Sequence, residues 1–302
     1  MTTRSIVATA AATLLTLASQ PALATKPQAP RVDLATTAGA MTAFRKVQCS
    51  LVDGEPVTYY WHGDMYSRVQ GERDRLLFKV HGMNTRRCTT VTDPEKGSGF
   101  KLVSREILLY VDPETGEVAR KWKNPWTGEE LDVLHVANDP VNSTWWPIGR
   151  DGKPQTWSGS TQGNRWWQTV TVPLFYTNPL GGEYQKFVGG FYHATEMFNF
   201  GGDLDDLLDG RRTTAQAQVG WVRISSWLPW MQMSGRPGEV YFHTAGVKLG
   251  SWDELPELMK REIATNYPEY REPPPGDDDR PNETSWTYFK KKVQPQQGGG
   301  RH

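Results

Sequence analysis

In the stretch "VGWVRISSWL" (residues 219–228), Trp221, Arg223, Ser225 and Trp227 recur at every second position, with Val222 and Ile224 between them. Successive side chains of a strand face opposite ways, so this spacing gathers two indoles, a guanidinium and a hydroxyl on one face. Such a face can grip an aromatic or acidic small molecule, the arginine supplying paired hydrogen bonds or a cation over a ring. It would serve equally as an outer surface whose arginine lies across its tryptophans. The chain continues into "WLPWMQM" (227–233), where Pro229 has no amide to donate and so ends the strand or sits on an edge. Trp227, Trp230 and two methionines then stand at the rim of a hairpin, either as the wall of a binding site or as plain core. His243, on the returning run "EVYFHTAGVKL", completes the ligand-binding candidates Trp221, Arg223, Trp227, Trp230 and His243.

The candidates for proton transfer are Glu106, His135 and His243. In "KLVSREILLY" Arg105 and Glu106 are neighbours, so on a strand one of them faces inward, where a charge must be paired or used. His135 and Asp139 in "LHVANDPVN" share a strand face but lie about 13 Å apart, too far for a dyad. His193 and Glu196 in "HATE" fall on opposite strand faces. A site would therefore have to be assembled across strands. Convergence of His135, His193 and His243 in a barrel lumen would suit a metal; histidines satisfied by hydrogen bonds in the core are the plainer reading, and no metal or cofactor is expected. No nucleophile elbow, phosphate loop, dinucleotide fingerprint or His-Glu-x-x-His pattern occurs.

Tryptophan is abundant, with 13 in 302 residues and doublets at Trp145-Trp146 and Trp166-Trp167. Neighbours on a strand cannot both face the core, so one ring of a strand doublet must sit on the other side, for ligand, sugar or inter-strand contact.

The elements that must position these residues read as short runs rich in Val, Thr, Tyr, Phe and Trp between Gly, Pro, Asn and Asp clusters. The runs fall near 57–69, 75–83, 86–92, 100–111, 117–122, 131–138, 165–173, 184–199, 215–228 and 239–249. "YVDPETGEVARKW" (110–122) holds the clearest hairpin, closed at Gly116. Helical pattern is confined to residues 203–210 and to a Ser-capped helix over 251–267. The expected fold is mainly β: an antiparallel, barrel-like sheet (lipocalin- or calycin-like) or a sandwich, with one C-terminal helix.

A basic residue, an apolar run over 6–18 and Ala22-Leu23-Ala24 make residues 1–24 an export signal, too short to span a bilayer. Residues 25–40 read as a linker, 41–293 as one β-rich domain containing a Pro-rich acidic excursion over 272–283, and 294–302 as a flexible tail. A periplasmic or secreted location and a mature chain without stable membrane insertion follow. In that setting Cys49 and Cys88 are a disulfide candidate. The 34 basic and 34 acidic residues balance, with no stripe for a nucleic acid to follow.

The blocks "SREILLYVDPETGEVARKWKNPWTGEELDVLHVANDPVN" (104–142) and "WLPWMQMSGRPGEVYFHTAGVKLGSWDELP" (227–256) resemble the bacterial family catalogued as domain of unknown function 1838, and the likeness runs from about Met41 to Pro275. The resemblance implies that both blocks belong to one domain; it carries over no catalytic residue. The expected function is binding of an apolar or aromatic small molecule in a Trp-lined pocket. The alternatives are a cofactor-independent lyase, isomerase or hydratase in that pocket, and carbohydrate binding or hydrolysis on Trp platforms.

Overall fold

The computed structural model describes residues 30–293, except Pro179 and the side chain of Glu183. The expected export signal, the start of the expected linker and the tail lie outside the described residues.

Among the described residues twelve strands follow in chain order: β1 (Val57–Arg68), β2 (Arg75–Asp93), β3 (Gly97–Val111), β4 (Lys121–Lys123), β5 (Glu130–Asp132), β6 (Val136–Asn138), β7 (Ser143–Trp145), β8 (Ser160–Gln162), β9 (Arg165–Thr177), β10 (Phe191–Asp203), β11 (Gln218–Ser225) and β12 (Glu239–Lys248). Ten form one sheet in the order β6-β3-β2-β1-β12-β11-β10-β9-β8, with β7 also on β3; β4 and β5 make a separate ribbon. Every pair in the large sheet is antiparallel. The fold is thus mainly β, as expected, but the sheet is not a closed barrel. It curls so that β3 and β6 at one end face β9 and β10 at the other across a common cavity.

Among the described residues five α-helices accompany it: α1 (Thr37–Gln48), α2 (Gln185–Val188), α3 (Leu204–Leu208), α4 (Glu257–Asn266) and α5 (Ser285–Val293). Helix α1 begins inside the segment read as linker. The Thr36 hydroxyl accepts from Gly39 N, capping the first turn, and Ala40, Ala43, Phe44 and Val47 lie on the face that is buried. Its last turn is held by Lys248 of β12, whose buried ammonium donates to the carbonyls of Lys46, Val47 and Cys49 and to Thr214. Lys46 repeats the device, donating from α1 to the carbonyls of Asp206, Leu207 and Asp209 at the end of α3. Cations are well placed at helix C-termini, where carbonyls lack partners. Cys49, the residue after α1, is joined to Cys88 of β2 as a disulfide.

The expected Ser-capped helix starts later: Trp252–Glu254 form a 3-10 turn and α4 begins after Pro256, which fits a helix start because its missing N–H is not needed there. Helix α4 packs Met259 and Ile263 with Met83, Ile107 and Leu109 on the outer face of the sheet. The acidic excursion is packed rather than loose. Arg280 bonds Asp139 and Asp278, Asn282 exchanges bonds with Asn142, and Glu283 N donates to Pro140 O.

Candidate functional site

Strand parity builds the site. The inward set is Tyr59 and Trp61 on β1, Asn84 and Arg86 on β2, Ser104, Glu106, Leu108 and Tyr110 on β3, Phe242 on β12, Val219, Trp221 and Arg223 on β11, and Tyr192, Glu196, Phe198 and Phe200 on β10. Together they wall a cavity of about 430 Å³. Two glycines make room for its largest ring. Trp61 lies in register with Gly82 on one neighbouring strand and Gly246 on the other; a Cβ at Gly82 would meet the indole Cε2 at 2.1 Å, so the ring lies flat over that bare backbone. Trp221 packs edge-on to Trp61 and against Phe242, giving a continuous aromatic wall.

Four charged groups are set into this wall: Arg223, Glu196, Glu106 and Arg86. Arg223 lies directly opposite Glu196, with Nη1 3.2 Å from Oε1, and its Nη2 donates to the Tyr192 hydroxyl. Burial opposes the Arg223 charge, but Tyr192, Glu196, Tyr110 and Glu106 around it more than offset this and hold the guanidinium charged. Glu106 on β3 accepts from Asn138 Nδ2 through Oε1 at 2.8 Å, while Oε2 has no partner among the described residues. Burial, reinforced by the negative charge of Glu196, pushes the Glu106 carboxyl above its usual range, against the pull of Asn138, Arg223 and Arg86.

Arg86 stands diagonally across from Glu106, being paired with Ser104 while Glu106 pairs with Asn84. Its Nε donates to Asn84 Oδ1 and its Nη1 to Gln48 Oε1, both at 2.7 Å, and the guanidinium lies 4.8 Å from the centre of the Tyr59 ring.

Of the residues singled out in the sequence, Glu106, Trp221 and Arg223 line the cavity, as do Trp145 and Glu196. Trp227 and Trp230 do not. "WLPWMQM" folds inward as a 3-10 turn over Pro229–Met231 instead of standing at a rim, and every residue of it except Gln232 is buried. Trp230 packs against Phe78, Tyr110 and Trp122, and Trp227 against Trp126, in the core that closes one end of the cavity. His243 is exposed on the outer face, because its neighbour Phe242 points inward. His135 is buried, accepts from Tyr110 N at Nδ1 and lies outside the cavity wall. His193 is exposed on the outer face as well, so the three histidines do not converge. The Trp doublet on β9 divides as parity requires: Trp166 is buried and Trp167 is 42 % exposed.

Tyr59, Trp61 and Arg86 are among the cavity residues that sequence reasoning left out, and Glu196 was weighed only as a partner for His193. Parity along 57–69 would have paired the first two; Arg86 fell at an apparent break between two runs that form one 19-residue strand.

Among the described residues no helix is long and apolar enough to cross a membrane. No match was found among curated proteins. Residues 54–293, which carry the sheet, helices α2 to α5 and all of the cavity wall except Gln48, match the model of a family described as protein of unknown function (DUF1838), and the chain belongs to that family.

Proposed function

We propose that this protein binds an apolar or aromatic small molecule on the concave face of its sheet. The observation that carries the reading is the cavity of about 430 Å³, walled by Tyr59, Trp61, Phe198, Phe200, Trp221 and Phe242, with a few fixed polar heads among the rings. Ligand sites have this composition: apolar walls for affinity and a few placed polar groups for orientation. Export to an oxidising compartment is part of the proposal; the N-terminal sequence motivates it and the Cys49–Cys88 bond is consistent with it.

A second reading rests on Glu106. Its carboxyl is positioned by Asn138, biased toward the protonated form and faces the cavity, as a proton donor in a cofactor-independent lyase, isomerase or hydratase would.

Native mass spectrometry of the protein from its own host, followed by mild denaturation, tests both. A co-purifying organic molecule supports the binding reading, and its incubation with the wild type and with Glu106→Gln separates a carrier from a catalyst. Conversion by the wild type alone favours the enzyme; recovery unchanged from both favours the carrier. A bare chain that also binds nothing from an extract of that host would sink the pocket reading.

A further inference from the structure

The charges around the cavity do not pair off evenly. Glu196 is matched by Arg223 at 3.2 Å, and Glu283, at the margin, by Lys291 at 3.4 Å. Arg86 is different: among the described residues it forms no ion pair, and both of its hydrogen-bond partners are neutral amide oxygens. Gln48 and Asn84 fix the guanidinium without neutralising it, the Tyr59 ring lies against it, and Nη2 is left with no acceptor among the described residues. An arginine half withdrawn from water is often matched by a carboxylate, because a charge partly removed from solvent is costly to leave without one. Here the acid closest in the sheet, Glu106, is diagonal to it and makes its hydrogen bond to Asn138.

Resting on the pocket reading, we propose that the ligand is a carboxylate, an apolar or aromatic body with a single anionic head that takes the free edge of the Arg86 guanidinium while the body lies along Trp61, Trp221, Phe198 and Phe200. Guanidinium matches carboxylate by planar, charge-assisted hydrogen bonds. A single guanidinium edge without an ion pair among the described residues suits one negative charge, which favours a carboxylate over a phosphate dianion. Gln48, at the last turn of α1, then acts as a positioning residue, holding Arg86 in place before the ligand arrives.

The test is calorimetric titration of the full chain with 2-naphthoate, indole-3-acetate and dodecanoate, each alongside its neutral primary amide. A charge-assisted contact predicts that a carboxylate binds roughly ten- to a hundredfold more tightly than its amide. Arg86→Gln should bring the carboxylate down to the level of the amide and leave the amide unchanged. Equal affinity of carboxylate and amide for the wild type, or discrimination that survives Arg86→Gln, overturns the proposal. If Arg86→Gln does not fold, Arg86→Lys decides: it keeps the charge but loses the planar fork, so a narrower margin between carboxylate and amide supports the assignment and an unchanged margin refutes it. Absence of binding by every probe, charged and neutral alike, overturns the pocket reading and this inference with it.

Discussion

His135 should make the stability of the fold sensitive to mild acid. Its ring is 4 % exposed, stacked 5.8 Å from the Tyr110 ring, and its Nδ1 accepts the backbone N–H of Tyr110 at 3.1 Å. A protonated imidazole has no acceptor to offer that amide. Burial, with the nearby Arg120 charge adding to it, pulls the ring from an ordinary 6.5 down to about 4. The unfolded chain therefore takes up a proton near pH 6.5 that the folded protein refuses until about pH 4. The stabilisation is complete above the first value and is lost as the pH falls through that window. Each tenfold step is worth about 1.4 kcal/mol, so roughly 3 kcal/mol is at stake. His135→Asn keeps an oxygen near the Nδ1 position to accept from Tyr110 N and removes the titration. Urea unfolding of both proteins at pH 7 and pH 4 gives the answer. Carboxylates that pick up protons in the same range act on both, including Glu106, whose raised carboxyl contributes in the opposite sense, so the quantity to follow is the gap between the two. The asparagine variant starts behind at pH 7 because it gives up packing against Tyr110, and the gap should close by about 3 kcal/mol on acidification. A gap that is the same at both pH values refutes the argument.

Gly82→Ala should test the aromatic wall. Its Cβ would stand 2.1 Å from Trp61 Cε2, so the indole must leave its seat, which costs about 1–3 kcal/mol by overpacking and reshapes the cavity. Both the urea midpoint and the affinity for a neutral naphthyl probe should fall; unchanged affinity would show that Trp61 does not shape the site. Replacing Cys49 and Cys88 together by alanine opens a loop of 39 residues and should remove roughly 4 kcal/mol of stability, measured by urea unfolding under non-reducing conditions. A loss below about 1 kcal/mol would mean that the lysine-capped helix end holds this corner without the bond.

Much of the site was legible from period-two alternation. The rule that put Trp221 with Arg223 holds because β11 runs unbroken from Gln218 to Ser225. The same rule separated Glu106 from Arg105, which turns outward to Asp139 at 3.1 Å. What alternation cannot see is register. Arg86 and Glu106 are 20 positions apart in the chain and become diagonal neighbours only because β2 and β3 pair with Ser104 opposite Arg86. The fate of "WLPWMQM" was likewise not local. The strand ends at Ser225, before Pro229, which instead opens a 3-10 turn; whether that turn bends out to solvent or in toward Phe78, Tyr110 and Trp122 depends on those long-range partners. Helix α1 was hidden by its Pro-, Ala- and Thr-rich approach, and its burial depends on Lys248, two hundred residues away in sequence, reaching its last carbonyls.

The position of the disulfide has a thermodynamic consequence. Cys49 follows Gln48 directly and Cys88 lies two residues beyond Arg86, so the covalent bond and the Gln48–Arg86 hydrogen bond are neighbouring rungs between α1 and β2. Oxidation thereby restricts one of the two hydrogen bonds that orient the Arg86 guanidinium, and reduction frees it. Binding free energies are reciprocal. Whatever factor reduction removes from the affinity for a molecule seated on Arg86, that molecule restores to the disulfide as resistance to reductant, so occupancy of the cavity and the redox state of this corner report on each other.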